Sequence, residues 1–205
     1  MNLYWIGWSL FIAIAWFFGR WSVRGAENVP KTGGFILAPN HISYLDPPVA
    51  AGAIFRQVHF MAKEELFKPR VLGFILRASG TFPVRRGTAD RSAIRKAIGL
   101  LQAGKVVGIF PEGTRSEDGN LQQPEQGLGL LVLKAKVTVL PMAIIGTDQV
   151  LRRGSAVLHF GKIKVNIGKP LDFSDLYDRE SDRAAIAEIG RRTMAAIAEL
   201  REHIS

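Results

Sequence analysis

Cysteine is absent from all 205 residues. Its absence excludes disulfides, zinc–thiolate sites, iron–sulfur clusters and thiol catalysis together, and it fits a reducing compartment. There is no G-x-S-x-G, and so no serine raised on the strand-to-helix elbow that hydrolases use. The four histidines, at 41, 59, 159 and 203, form no H-E-x-x-H, which removes the helical zinc-protease pattern; His59, His159 and His203 read as structural or exposed. Gly99–Lys105 matches G-x4-G-K. That run closes a helix, precedes a strand and is followed by Val106 rather than Ser or Thr, so it is no phosphate-binding P-loop. No internal repeat or low-complexity tract is present.

Acidic residues are scarce. Eighteen Asp and Glu face 27 Lys and Arg, for a net charge of +9. Between Arg56 and Arg115 twelve basic residues stand against four acidic ones. Such a field favours anionic partners: phosphorylated substrates, anionic lipid headgroups or nucleic acid. Nucleic acid is set aside because the chain shows no recognition element. The N-terminus points to lipid instead. Leu3–Phe18 is an uncharged run of sixteen residues with three tryptophans, followed by Arg20 and Arg24. A spanning helix needs about 17–25 apolar residues. A secretory signal would carry its positive charge before the run. We therefore expect residues 1–20 to form a membrane-associating segment, as a short span or lying in the interface, with the remaining residues, 21–205, as one folded domain. If the segment spans, the two arginines place the folded body on the cytoplasmic side.

Apolar runs alternate with amphipathic stretches after Pro30. Strands are predicted at Phe35–Ala38, Val58–Met61, Thr81–Val84, Val106–Phe110 and Val137–Ile145. Two further β segments, Val157–Phe160 and Ile163–Ile167, read as a hairpin or adjacent strands. Helices are predicted after Asp46 (as cap, with Pro47 and Pro48 in the first turn), through Lys63–Ala78, from Thr88 or Asp90 to about Gln102, at Leu128–Lys136, and from about Asp182 to the end. Ser116–Gly127 reads as a loop. The fold class is α/β, with a mostly parallel sheet flanked by helices.

Two motifs carry the chemistry. In Asn40-His41-Ile42-Ser43-Tyr44-Leu45-Asp46-Pro47 an imidazole and a carboxylate lie five positions apart. Imidazole, with an unperturbed pKa of about 6.5, suits proton abstraction from an alcohol near neutral pH, and a carboxylate can fix its tautomer. With no protein nucleophile in evidence, the group to be activated is a substrate hydroxyl, which points to transfer rather than hydrolysis. The second motif, Phe110-Pro111-Glu112-Gly113-Thr114-Arg115-Ser116, follows an apolar strand. Arg115 there can grip a phosphate with its planar fork, Glu112 can orient it or hold a ligand hydroxyl, and Gly113 lets the backbone approach a ligand.

These motifs resemble the H-x4-D and F-P-E-G-T-R-S signatures of the glycerolipid acyltransferase family. Gly80-Thr81-Phe82-Pro83-Val84-Arg85-Arg86-Gly87 resembles its middle block, and Val139–Ile144 its closing apolar–Pro–apolar strand. The blocks stand in the family's order over roughly Gly25 to Gly146. The resemblance is greatest to the 1-acylglycerol-3-phosphate branch. It implies transfer of a fatty acyl group from acyl-CoA or acyl-carrier protein to the free hydroxyl of a lysophospholipid, with the thioester as co-substrate and no bound cofactor or metal. It also implies His41 as base, Asp46 as its partner, and Arg86, Glu112, Gly113, Thr114 and Arg115 at the acceptor's phosphate end. Arg85 stands where many members are acidic, and Pro124-Glu125-Gln126-Gly127 lacks a lysine often found there; both bear on the acceptor headgroup. The rivals are a related enzyme with a lyso-aminolipid or glycan acceptor, and a non-catalytic membrane-binding module.

Overall fold

In the computed structural model of the chain, residues 17, 20–85, 90–155, 157–180 and 182–204 are described. Seven strands form one sheet: β1 (Ser22–Arg24), β2 (Phe35–Pro39), β3 (Val58–Lys63), β4 (Phe82–Val84), β5 (Val106–Gly108), β6 (Val139–Ile145) and β7 (Lys164–Ile167). Their spatial order is β1-β7-β6-β2-β5-β3-β4. Every pairing is parallel except that of β6 with β7. Among the described residues six α-helices accompany them: α1 (Asp46–Ala53), α2 (Arg70–Ala78), α3 (Arg91–Gln102), α4 (Gln126–Ala135), α5 (Thr147–Val150) and α6 (Arg183–Glu202).

The central strand explains the layering. Every residue of β2 is buried, as the continuous apolar run Phe35–Ala38 requires of a strand covered on both faces. Because successive side chains point to opposite faces, Ile36 and Ala38 join a core with α3, α4 and α6. Phe35 and Leu37 join a second core with α1, Val58, Phe60 and Val165. The α/β class and mostly parallel sheet are as expected.

Several local expectations are corrected. The predicted helix through Lys63–Ala78 breaks into a 3-10 turn at Glu64–Phe67 and α2. Pro69, with its fixed φ and missing N–H, takes an extended conformation between them. Asp46 is the first residue of α1 rather than its cap. Pro47 and Pro48 have no N–H to offer a capping carboxylate, and the side chain turns back to accept from Ile42 and Ser43. Asp90 does cap α3, accepting from the N–H groups of Ser92 and Ala93; Thr88 lies outside the described residues. Val157–Phe160 forms no strand; its β pairing is the isolated bridge of Leu158 with Leu151. The neighbours of β7 are instead β6 and the unpredicted β1.

The N-terminal run lies outside the described residues apart from Phe17, which meets Phe160 edge-on at 5.8 Å. Among the described residues, no helix is long and apolar enough to cross a membrane. Part of the basic excess is structural. The Arg56 guanidinium lies against the Phe35 ring and donates to the carbonyls of Pro30, Gly33 and Gly104.

Candidate active site

The parallel centre of the sheet carries both motifs to one edge. β2 ends at Pro39, directly before the first motif, and its neighbour β5 ends at Gly108, one residue short of the second. The edge outside the carboxyl ends of parallel strands is where α/β folds place their ligands.

Three contacts lock the motifs together. The backbone N–H of His41 donates to Glu112 Oε1 at 2.8 Å. Ser116 N–H donates to the His41 carbonyl at 2.8 Å. The imidazole stacks on the Phe110 ring with centroids 3.9 Å apart, and Phe110 in turn stacks on Phe60 at 5.5 Å. Gly108 makes this stack feasible, because a Cβ there would run into the Phe60 ring. The Asn40 side chain ties the site to β6, donating to the Ile144 carbonyl at 3.0 Å and accepting from its N–H at 2.7 Å.

His41 Nδ1 lies 2.8 Å from Asp46 Oδ2. That carboxylate oxygen also accepts from Ile42 N–H and Ser43 N–H, each at 2.6 Å. The other, Oδ1, accepts from the Thr147 hydroxyl at 2.5 Å. Asp46 and Thr147 are both fully buried, and His41 is 8% exposed. With Nδ1–H directed at Asp46, the lone pair of Nε2 is the basic site. Ser43, 2% exposed, donates its hydroxyl to the Leu151 carbonyl and is in no position to act as a nucleophile.

Glu112 is 3% exposed, and its Oε2 accepts from Gln122 N–H at 3.0 Å. Burial pushes its carboxyl above the ordinary value, against the pull of the His41 and Gln122 hydrogen bonds. Gly113 takes a left-handed φ of 69°, which glycine adopts without penalty. Its N–H closes the turn onto Phe110, and that of Thr114 bonds Glu112. The Thr114 hydroxyl reaches Gln122 Oε1 at 3.4 Å. Arg115 behaves differently. Its guanidinium lies 3.6 Å above the Tyr44 ring, and among the described residues it makes no side-chain hydrogen bond or ion pair. Arg86 lies outside the described residues. Its neighbour Arg85 pairs with Glu64 at 3.4 Å.

The structure thus brings His41, Asp46, Glu112, Gly113, Thr114 and Arg115 to one sheet edge. Thr147, Asn40 and Phe110 support the pair in ways the sequence did not suggest. The only signal for Thr147 is its place just after β6, and that matters only once β6 is known to lie beside β2.

A family model described as Acyltransferase matches residues 20–145. The chain is 35% identical over 179 residues to the 1-acyl-sn-glycerol-3-phosphate acyltransferase of Bacillus subtilis, covering 85% of this chain and 86% of that protein. It is 31% identical over 179 residues to a chloroplastic 1-acyl-sn-glycerol-3-phosphate acyltransferase of Arabidopsis thaliana, over 83% of this chain but 49% of that protein. The crystal structure of the 1-acyl-sn-glycerophosphate (LPA) acyltransferase PlsC from Thermotoga maritima matches with a TM-score of 0.74 at 30% identity, over 92% of this chain and 75% of that one.

Proposed function

The chain belongs to the acyltransferase family, and from that premise we propose that it transfers a fatty acyl group from an acyl thioester, CoA or carrier protein, to the free hydroxyl of lysophosphatidate, giving phosphatidate. One observation carries the reaction type: a buried His–Asp pair with, among the described residues, no protein nucleophile beside it. In this reading Nε2 takes the acceptor hydroxyl's proton as that oxygen attacks the thioester carbonyl. The tetrahedral intermediate collapses with loss of the thiolate, and the imidazolium returns the proton to sulfur. Asp46 holds the productive tautomer and stabilises the imidazolium. Its two oxygens accept from four donors, which hold the carboxylate fixed against the imidazole.

Arg115 is the reading's phosphate ligand. Stacking on Tyr44 holds the guanidinium plane and leaves its N–H edges for an anion. Glu112 has a different part from the one its motif implied. Both its oxygens accept backbone N–H groups, so it positions His41 and leaves the phosphate to Arg115. The substrate and product are bilayer lipids, so the enzyme works at a membrane surface. Arg20 and Arg24, following the apolar N-terminal run, favour the cytoplasmic side.

A lysolipid panel offered with acyl-CoA and with acyl-carrier protein tests the assignment. Lysophosphatidate should be the preferred acceptor. Arg115→Lys keeps the charge but loses the fork, and a charge-assisted contact is worth about 1.5–3 kcal/mol. The variant should therefore lose roughly tenfold to a hundredfold in kcat/KM on lysophosphatidate and less on an acceptor without the phosphate. Equal losses on both would withdraw the acceptor assignment.

A further inference from the structure

Helix α2 is built inside out. The only buried residue of Arg70–Ala78 is Gly73, which lies against the Phe67 carbonyl. Val71, Phe74 and Ile75 are 75%, 61% and 55% exposed. Their spacing, i, i+3 and i+4, sets them on one stripe, which Ala78 extends. A helix of a globular domain normally turns such a stripe to the core. An exposed apolar patch of this kind marks an interaction surface.

The surrounding charge says what the stripe meets. Lys68, Arg70 and Arg77 flank it and are all exposed. The nearby acids are already engaged, Glu65 with Lys63 at 3.7 Å and Glu64 with Arg85 at 3.4 Å. Among the described residues Lys68 and Arg70 make no ion pair. A short apolar stripe edged with cations suits a surface that is anionic outside and apolar beneath: the headgroup and upper acyl region of an anionic lipid leaflet.

The fold puts this helix in the right place. α2 follows β3, so its first turn starts from the same sheet edge as His41. Across the sheet, Val157 and Phe160, 63% and 72% exposed, precede β7. Because β7 is antiparallel to β6, they reach that edge as well. Tyr44, 58% exposed and stacked under Arg115, stands between.

We propose that α2 is a lipid-docking helix, seated by Val71, Phe74 and Ile75 in an anionic leaflet and held there by Lys68, Arg70 and Arg77. It acts in addition to whatever the N-terminal run contributes. The proposal rests on the reading of the substrate as a bilayer lipid, and the experiment separates the two.

The absence of cysteine allows one reporter in the full chain. Phe74→Cys carries an environment-sensitive fluorophore, and Ala195→Cys, on the exposed face of α6, is the control. Vesicles of equimolar phosphatidylglycerol and phosphatidylcholine should blue-shift the label at 74 and leave that at 195 unchanged; pure phosphatidylcholine should give a weaker response. Val71→Ser/Phe74→Ser/Ile75→Ser should lower partition onto the mixed vesicles by about tenfold or more. Lys68→Gln and Arg70→Gln should each lower it about fivefold, the equivalent of about 1 kcal/mol per charge. None of these variants should change turnover of a soluble short-chain lysophosphatidate. A label at 74 that is indifferent to vesicles overturns the proposal. So does one already shielded in their absence: concentration-dependent shielding would mean a second copy covers the stripe, and concentration-independent shielding would mean the N-terminal residues do. Failure to use the short-chain lysophosphatidate would instead remove the acceptor reading, with the label still deciding the role of α2.

Discussion

At the scale of single residues the site is a set of hydrogen bonds converging on Asp46. Three of its four donors come from the motif that contains it: His41 Nδ1 and the N–H groups of Ile42 and Ser43. The fourth, Thr147, lies 101 residues further along the chain. Its hydroxyl touches no reacting atom, so it is a positioning residue that acts through the carboxylate. Thr147→Val keeps the shape and removes the donor, leaving Oδ1 buried and unsatisfied. Such an acceptor costs about 1–3 kcal/mol. Where that loss is felt in the transition state, kcat should fall roughly fivefold to a hundredfold with KM little changed. Thr147→Ser should restore most of it, because serine supplies the same donor. Wild-type kcat in a folded Thr147→Val protein would show that three donors are enough to hold Asp46. His41 and Asp46 were legible from the sequence because they lie within one short loop. Thr147 was not, since nothing in its own neighbourhood distinguishes it from any other threonine after a strand.

Among the elements, legibility followed the strength of the period. The apolar runs of β2 and β6 and the long amphipathic α6 stand close to where the pattern placed them. The three-residue β1 buries none of its side chains and has no hydrophobic pattern to read. Val157–Phe160 carries β-forming residues, but its only β pairing among the described residues is the isolated bridge of Leu158 with Leu151. Thr193 is a polar residue on the buried face of α6. It is fully buried and donates to the Ile189 carbonyl at 2.8 Å, so it adds no unsatisfied group to the core. What periodicity does not reveal is how closely two helices approach. α4 and α6 cross with Gly129 against the backbone of Ile186, where a Cβ would come within 2.9 Å of the Ile186 Cα and closer still to its carbonyl. Gly129→Ala ordinarily strengthens a helix by up to about 1 kcal/mol. Here the added methyl must push two backbones apart, and overpacking of that kind costs about 1–3 kcal/mol. The variant should therefore be destabilised in urea or thermal unfolding, against the intrinsic preference. A more stable variant would mean the helices can separate at no cost.

For the whole molecule the question is what its net charge of +9 does. The sequence put most of the excess between the two motifs, and the structure divides it. Arg56 is taken up in holding loop carbonyls, and Arg85 and Lys63 are paired with acids. Of the described cations in this stretch that make no ion pair, Arg115, Lys68 and Arg70 lie on or near the sheet edge that carries His41. A field of this kind acts at long range in dilute salt and is screened as the Debye length shrinks from about 10 Å at 0.1 M to about 3 Å at 1 M. It should matter for reaching an anionic membrane more than for gripping a phosphate once inside the site, where Arg115 is half-buried and its contact is direct. Raising salt across that range should thus weaken association with phosphatidylglycerol-containing vesicles steeply and association with pure phosphatidylcholine vesicles little. Turnover of a soluble short-chain lysophosphatidate should fall by a smaller factor than vesicle association does. Vesicle sedimentation and turnover measured over the same salt series give the two slopes. Equal slopes would mean that one set of charges serves both steps, and the division between a docking field and a phosphate clamp would have to be abandoned.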